Sequence, residues 1–407
     1  MSIAKSTNVG LLVALATGLT AAPLAHADLK PIIDGRLRYE NVDQAPLAEE
    51  ADAVTARLRL GIEAGKVLDT SIVVEGEFVT PIVTDYRPDP AVPFKTQYPV
   101  VADPESYELN RAHLTNTSIP GTTITLGRQR INLDDQRFVG AVGWRQNEQT
   151  YDALRVMSKP GAGPVSIDVT YLNRVNRIFG DGSPQGDYEG DTVLGNIAYQ
   201  TPIGKLTGFG YFIEIENIPG VAAAVRDSNA TYGLRFAGEQ PIGKTKLTYA
   251  ASYAMQEDYA DNPLTFELDY VLGEIGLTVS QFSGLVGIEV LDGNGAKGFT
   301  TPLATLHKFQ GWADKFLGTP PNGLKDIYAS LGWSAKGVGP FDVLSATIAY
   351  HDFESTRLTT TAEADEINLQ LLAKWKKLTA ILKYADYNAD GLFTDTRKIW
   401  VECGFVW

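Results

Sequence analysis

The chain has 407 residues, a formal charge of −14 and a single cysteine, Cys403, with a mean hydropathy of −0.09. That acidic balance is unsuited to nucleic acid, whose binding rests on Lys and Arg neutralising phosphates, and one thiol leaves an exported chain without an internal disulfide. Beyond Ala27 no stretch is apolar enough for a membrane helix, so a membrane-spanning form has to be a β-barrel, the other structure that satisfies every backbone group in lipid.

At the start, Lys5 precedes the apolar run Val9 to Leu19 and the small residues ending Ala25-His26-Ala27. This order predicts a cleaved secretory signal over residues 1–27, because the run is too short to cross roughly 30 Å of hydrocarbon as a helix. Residues 28–407 are then expected to form one domain.

Period-two alternation follows along the chain. It sets Val54, Ala56, Leu58, Leu60 and Ile62 against Thr55, Arg57, Arg59 and Glu63, then Phe209, Tyr211, Ile213 and Ile215 against Gly210, Glu214 and Glu216. Ala230, Tyr232, Leu234 and Phe236 alternate in the same way, as do Leu247 to Tyr253 and Ile367 to Ala373. Such runs are half-buried strands, and their connections discriminate between folds.

The links alternate short and long. Lys66–Asp69, Ile119–Gly121, Met157–Pro164, Thr201–Lys205, Pro241–Lys244, Ala335–Pro340 and Lys376-Lys377 are short; Asn41–Ala53, Pro81–Tyr107, Asn132–Gln149, Val175–Gly190, Asn217–Ser228, Leu291–Lys325 and Glu354–Ala362 are long. Short and long ends on opposite rims are the mark of an outer-membrane barrel, with short periplasmic turns and long extracellular loops. With Thr265–Ser280 read as one strand, the count is about 18 antiparallel strands, the even number expected of such barrels. The last segment puts Ile399, Val401, Cys403, Phe405 and Trp407 on one face. It resembles the C-terminal signal read by the barrel-assembly machinery, and Cys403 is expected to face lipid and to do no chemistry.

If the outer face is apolar, charge belongs on the inner one. Arg36, Arg38, Arg57, Arg59, Arg128, Arg130, Arg155 and Arg235 are therefore expected in the lumen, with Glu63, Glu75, Glu77, Glu214 and Glu216 as possible partners. A guanidinium suits carboxylates because its planar fork bonds them in pairs, so this set reads either as a guide for anions or as cross-strand pairs that stiffen the wall. Residues 131–151, with Arg137, Phe138, Trp144 and Arg145, are expected to form a constriction loop folded into the lumen or to pack over the rim. In the longest link, Leu303, Leu306, Phe309, Trp312 and Phe316 around His307 predict a short amphipathic helix acting as a lid or plug, or packing on other loops. The loop acids Asp85, Asp89, Asp103, Glu105, Asp181, Asp187, Glu189 and Asp191 are read as solvated, with Ca²⁺ or lipopolysaccharide bridging as the alternative. Neither a metal site nor a cofactor is expected, because Cys and His are not clustered and no phosphate-binding glycine loop is present.

The signal, Gly127-Arg128-Gln129-Arg130, the stretch from Phe138-Val139-Gly140 to Gly143-Trp144, Gln149-Thr150-Tyr151-Asp152-Ala153-Leu154-Arg155, and Gln310-Gly311-Trp312-Ala313-Asp314-Lys315-Phe316 resemble the alginate-export porin family over nearly the whole mature chain. The resemblance implies a single-chain, 18-stranded outer-membrane barrel with an arginine-lined constriction through which an anionic polysaccharide diffuses outward. Arg128, Arg130 and Arg155 carry over with matching motifs; Arg36, Arg38, Arg57 and Arg59 rest on strand facing alone. The expected function is passive diffusion of hydrophilic, anionic solutes, with outer-membrane lipid and lipopolysaccharide around the wall. A loop-plugged receptor barrel is the alternative. Catalysis is not expected: His351-Asp352 is the only adjacent His-acid pair, and a nucleophile with its base is missing from the pattern.

Overall fold

The computed structural model describes residues 28–161, 163–218, 221, 224–357 and 362–407. The expected signal, residues 1–27, lies outside the described residues. Nearly all regular structure is β. The first strands are β1 (Leu29–Gln44), β2 (Ala51–Val67), β3 (Thr70–Asp85), β4 (Ser106–Asn116), β5 (Thr122–Gln129) and β6 (Thr150–Ser158). They continue with β7 (Val165–Asn176), β8 (Asp187–Thr201), β9 (Gly204–Ile213), β10 (Asn229–Ile242), β11 (Thr245–Asp258) and β12 (Glu267–Val279). The last are β13 (Phe282–Leu291), β14 (Leu324–Val338), β15 (Phe341–Glu354), β16 (Glu363–Trp375), β17 (Leu378–Asp390) and β18 (Thr396–Val406). Each pairs antiparallel with its neighbour in sequence, and β1 pairs with β18, so the sheet of 18 strands closes on itself. Closure removes the exposed edges that make open sheets stick to one another.

The rims sort as the link lengths predict. Links after even-numbered strands are tight, such as Leu68-Asp69, where φ of 51° and 56° at both turn residues gives the twist a two-residue hairpin needs. Links after odd-numbered strands are the long ones, including residues 86–105, 130–149 and 292–323.

The outer wall is apolar because lipid replaces water there. Leu331 is 66% and Leu371 55% exposed, and Leu58, Leu60, Ile62, Leu234, Ile275 and Val401 join them in a continuous belt, with Cys403 also on this face. Above the belt, outward tyrosines donate to carboxylates, Tyr39 to Asp52, Tyr171 to Asp191 and Tyr253 to Asp269, each at 2.6 Å. Their apolar rings and polar tips suit the membrane interface.

On β9 the facing is reversed from expectation. Phe209 and Tyr211 are 7% and 2% exposed and point into the barrel, with Ile213 and Ile215 behind them. They pack with Ile131, Leu133, Val139, Phe299 and Leu303 from two long loops, in an apolar core inside the lumen. Period two fixes alternation and not its sign: an apolar face is buried equally well by lipid or by a loop. Glu214 therefore lies beyond the strand, where it accepts from the Asp191 backbone N–H at 3.1 Å.

Candidate pore constriction

Two long loops enter the barrel and join. Loop 130–149 and loop 292–323 form a parallel bridge at Val139 and Leu303. The Gly140 N–H donates to the Leu303 carbonyl at 2.8 Å and the Thr305 N–H to the Gln136 carbonyl at 3.1 Å. Gly140 permits this approach, since a Cβ there would sit 2.2 Å from Thr305 Oγ1. Residues 131–151 thus fold inside the barrel and do not cover its rim.

The expected amphipathic helix does not form. Only Leu306–Lys308 makes a single 3-10 turn, and Gln310, Gly311 and Asp314 take positive φ, which an L-residue helix does not tolerate. The apolar residues serve two different cores instead: Leu303 joins the one beside β9, while Phe316 joins Phe353, Tyr387 and Trp400 with Trp312 against them. At Gly311 a Cβ would meet the Glu366 carboxylate at 2.3 Å, so glycine lets Glu366 reach the Trp312 and Ala313 N–H groups.

Ion pairs fasten both loops to the wall. Arg137 is fully buried, with Nε 2.6 Å from Glu289 on β13 and Nη1 2.9 Å from Thr301. Burial works against its charge, and Glu289, Tyr270 and Asp135 together outweigh burial and raise its pKa. Arg145 reaches Glu40 on β1 and Asp314, both at 3.0 Å. His307 donates through Nδ1 to Asp314 at 2.7 Å and accepts at Nε2 from Lys383 at 2.7 Å, an arrangement that requires the neutral ring. Burial pushes its pKa down to about 3. The Trp144 ring stacks on His307, with centroids 4.3 Å apart and planes at 3°, and the Arg38 guanidinium covers it at 4.1 Å.

The wall beside these loops carries the predicted cations. Arg36 and Arg57 are directly opposed across β1 and β2, while Arg59 is opposite Asp34. Arg38 bonds Glu402 at 2.6 Å, Arg59 pairs with Glu77 and with Glu148 at 3.3 Å, and Arg130 reaches Glu148 at 2.5 Å. Arg155 pairs with Asp168 at 2.5 Å and Arg235 with Asp135 at 3.0 Å. Arg36 donates to the carbonyls of Gly143, Trp144 and Arg145 at 2.9–3.1 Å. Arg57 bonds Asp34 through Nη2 and leaves Nε and Nη1 without partners.

Arg128 departs from the expected set. Alternation from Leu126, which is 51% exposed, puts it on the outer face, bonded to Asp152 at 2.7 Å and to the outward Leu109 carbonyl at 2.9 Å. Of the predicted acidic partners, Glu75 and Glu77 pair with arginines, whereas Glu63, Glu214 and Glu216 do not among the described residues. Asp103, read as a solvated loop acid, is buried between Arg38 and Arg145. Among the described residues, no three His, Cys, Asp or Glu side chains gather as a metal site.

Sequence reading missed Arg111, Lys383 and Lys398. A bulge at Asn110 on β4 turns both Asn110 and Arg111 onto Glu75, at 2.7 Å and 2.6 Å, which alternation alone hides. Lys383 and Lys398 occupy inward positions of β17 and β18 that an inside-outside reading of those strands would have flagged. His351 bonds Asp326 on the neighbouring strand at 2.9 Å and not its sequence neighbour Asp352.

The fold has solved counterparts. The chain is similar to Pseudomonas aeruginosa OpdK, whose structure was solved with vanillate, at TM-score 0.71 and 12% identity, covering 93% of this chain and 98% of that one. Acinetobacter baumannii OccAB4 gives 0.72 and 14% over 93% and 98%, and P. aeruginosa OccK3 (OpdO) gives 0.70 and 12% over 93% and 96%. At this identity the likeness shows the fold. No curated protein matches by sequence. The sequence model of the Alginate export family matches residues 99–258. The chain is an outer-membrane barrel of porin fold that is similar to the alginate-export family over that segment. The match contains Gly127–Arg130, Phe138–Trp144 and Gln149–Arg155, and therefore the whole first inward loop; the Gln310–Phe316 motif falls outside it. A closed barrel with a lipid-facing belt places the protein in the bacterial outer membrane.

Proposed function

We propose that the barrel conducts small carboxylate-bearing solutes by passive diffusion along the arginine wall of β1–β6, and that it is a transporter rather than an enzyme. One observation carries this reading: Arg57, with its side chain 2% exposed, faces Arg36 across the ladder and keeps two donor nitrogens unused. Like charges directly opposed destabilise a sheet, so this cluster of guanidiniums gives the wall a positive potential that favours anions passing beside it. The vanillate in the OpdK structure, a small carboxylate, is in keeping with this class. The two loops that cross the bore favour a small solute over a polysaccharide such as alginate.

The apolar core inside the lumen supports a second reading, a loop-plugged receptor barrel. Single-channel recording of the refolded protein separates the two. Anion-selective reversal potentials in a salt gradient, with current reduced by small carboxylates, support the first reading; block by oligouronates adds the polysaccharide. No conductance favours the plugged barrel.

For assembly, β18 ends at Val406 and is followed by Trp407, with Phe405 and Trp407 both exposed, and we take this end as the segment handled by the assembly machinery. Deleting Trp407 is expected to lower the amount of folded, heat-modifiable protein in the outer membrane; an unchanged amount removes that role.

A further inference from the structure

Lys383 projects inward from β17, is 4% exposed and makes no ion pair among the described residues. Its Nζ lies 3.8 Å from the centre of the Trp312 ring, 4.1 Å from Trp144 and 5.6 Å from Trp400, and 2.7 Å from His307 Nε2. An ammonium taken from water without a carboxylate is costly to keep, and here it is held by aromatic faces and one neutral ring nitrogen. The nearby acids are already committed: Asp314 to His307, Arg145 and Lys398, Glu402 to Arg38, and Glu366 to the Trp312 and Ala313 backbone.

The aromatic partners come from separate loops. Trp144 belongs to loop 130–149, and His307 and Trp312 to loop 292–323, while Trp400 is part of the wall on β18. The backbone bonds between the loops lie at residues 136–140 and 303–305, on the apolar-core side. At the arginine side the Arg145–Asp314 pair also joins them, and among the described cations Lys383 is the one that lies over an indole face of each.

We propose that Lys383 is the positioning residue of the constriction: its ammonium, bracketed by Trp144 and Trp312, ties both inward loops to the β17 wall at one separation and thereby sets the width of the passage beside Arg36 and Arg38. The proposal rests on the channel reading above. If packing were all that position 383 supplied, a methionine of similar length would suit an indole-lined box at least as well, whereas the tie needs the cation.

Lys383→Met and Lys383→Arg, each first shown to fold by heat-modifiable mobility, are compared with wild type by single-channel recording and by amide exchange over residues 139–147 and 306–316. For Lys383→Met the expected result is a conductance at least about twofold higher. Exchange is expected to rise about tenfold in both segments together, with Lys383→Arg restoring both. Unchanged conductance and exchange in Lys383→Met, or loosening of one segment alone, overturns the proposal. A wild-type protein that passes no current sinks the channel reading, and the exchange result still decides whether Lys383 couples the loops.

Discussion

Arg137 and Glu289 meet at 2.6 Å inside the barrel, one on a loop that has crossed the bore and the other on the far wall at β13. Glu289 also accepts from Tyr270 at 2.7 Å and from Gln310 of the second loop. A single carboxylate thus gathers both loops. Arg137→Ala leaves that carboxylate buried and unpaired, at a cost of about 3–5 kcal/mol. In urea unfolding the loss should be largely restored by adding Glu289→Leu; a single-mutant loss below about 1 kcal/mol would assign the pair no structural weight.

Facing separates two arginines that the sequence treats alike. Arg57→Gln is expected to reduce the anion-to-cation permeability ratio by roughly twofold or more, because it removes an under-neutralised lumen charge. Arg128→Gln, on the outer face, should leave reversal potentials unchanged. Equal effects from both variants would contradict the assigned facing.

The lipid belt makes its own prediction. Leu371→Arg places a cation on the outer face of β16 and should cost roughly 2–4 kcal/mol if it lies near the midplane, measured by reversible unfolding from vesicles. A neutral result would mean that this face does not contact hydrocarbon.

Acid should release the loops. Because burial holds His307 near 3 instead of 6.5, the unfolded chain binds this proton more tightly than the folded one. The contribution of the neutral ring is complete above pH 6.5 and is lost as pH falls toward 3, on the order of 3 kcal/mol by pH 4. Asp314 adds in the same sense below 3.8: burial disfavours its charge, but His307, Lys398 and Arg145 hold its carboxyl well below that value. Amide exchange in residues 306–316 should therefore rise between pH 6 and pH 4 in the wild type and change less in His307→Gln. Flat exchange across that range would show that His307 does not fasten the loop.

The strand count, the sorting of rims and the lumen position of Arg36, Arg38, Arg57 and Arg59 were legible because lipid outside and charge inside impose a strict period of two. The Phe209–Ile215 face was not, since a loop buries an apolar side chain as well as lipid does. Arg128 was misplaced because the rule of charge inside was applied to it without reading its register; Leu126, two residues earlier and 51% exposed, gives the outward facing. Arg111 was hidden by a bulge. The helix expected around Trp312 failed because its apolar spacing, judged without the positive φ of Gln310, Gly311 and Asp314, serves two cores rather than one stripe.

Barrel closure has a consequence for folding. The seam joins β1 to β18, and Arg38 meets Glu402 across it at a separation of 364 residues. Among the described strands no other pairing has a longer loop to close, and long-range pairing of this kind is entropically slow. The same seam carries Arg36 and Arg38, on which the Gly143–Arg145 backbone hangs. A chain still waiting for its final strand thus has neither a shut wall nor the Glu402 carboxylate that holds Arg38 in place beside the Trp144 carbonyl.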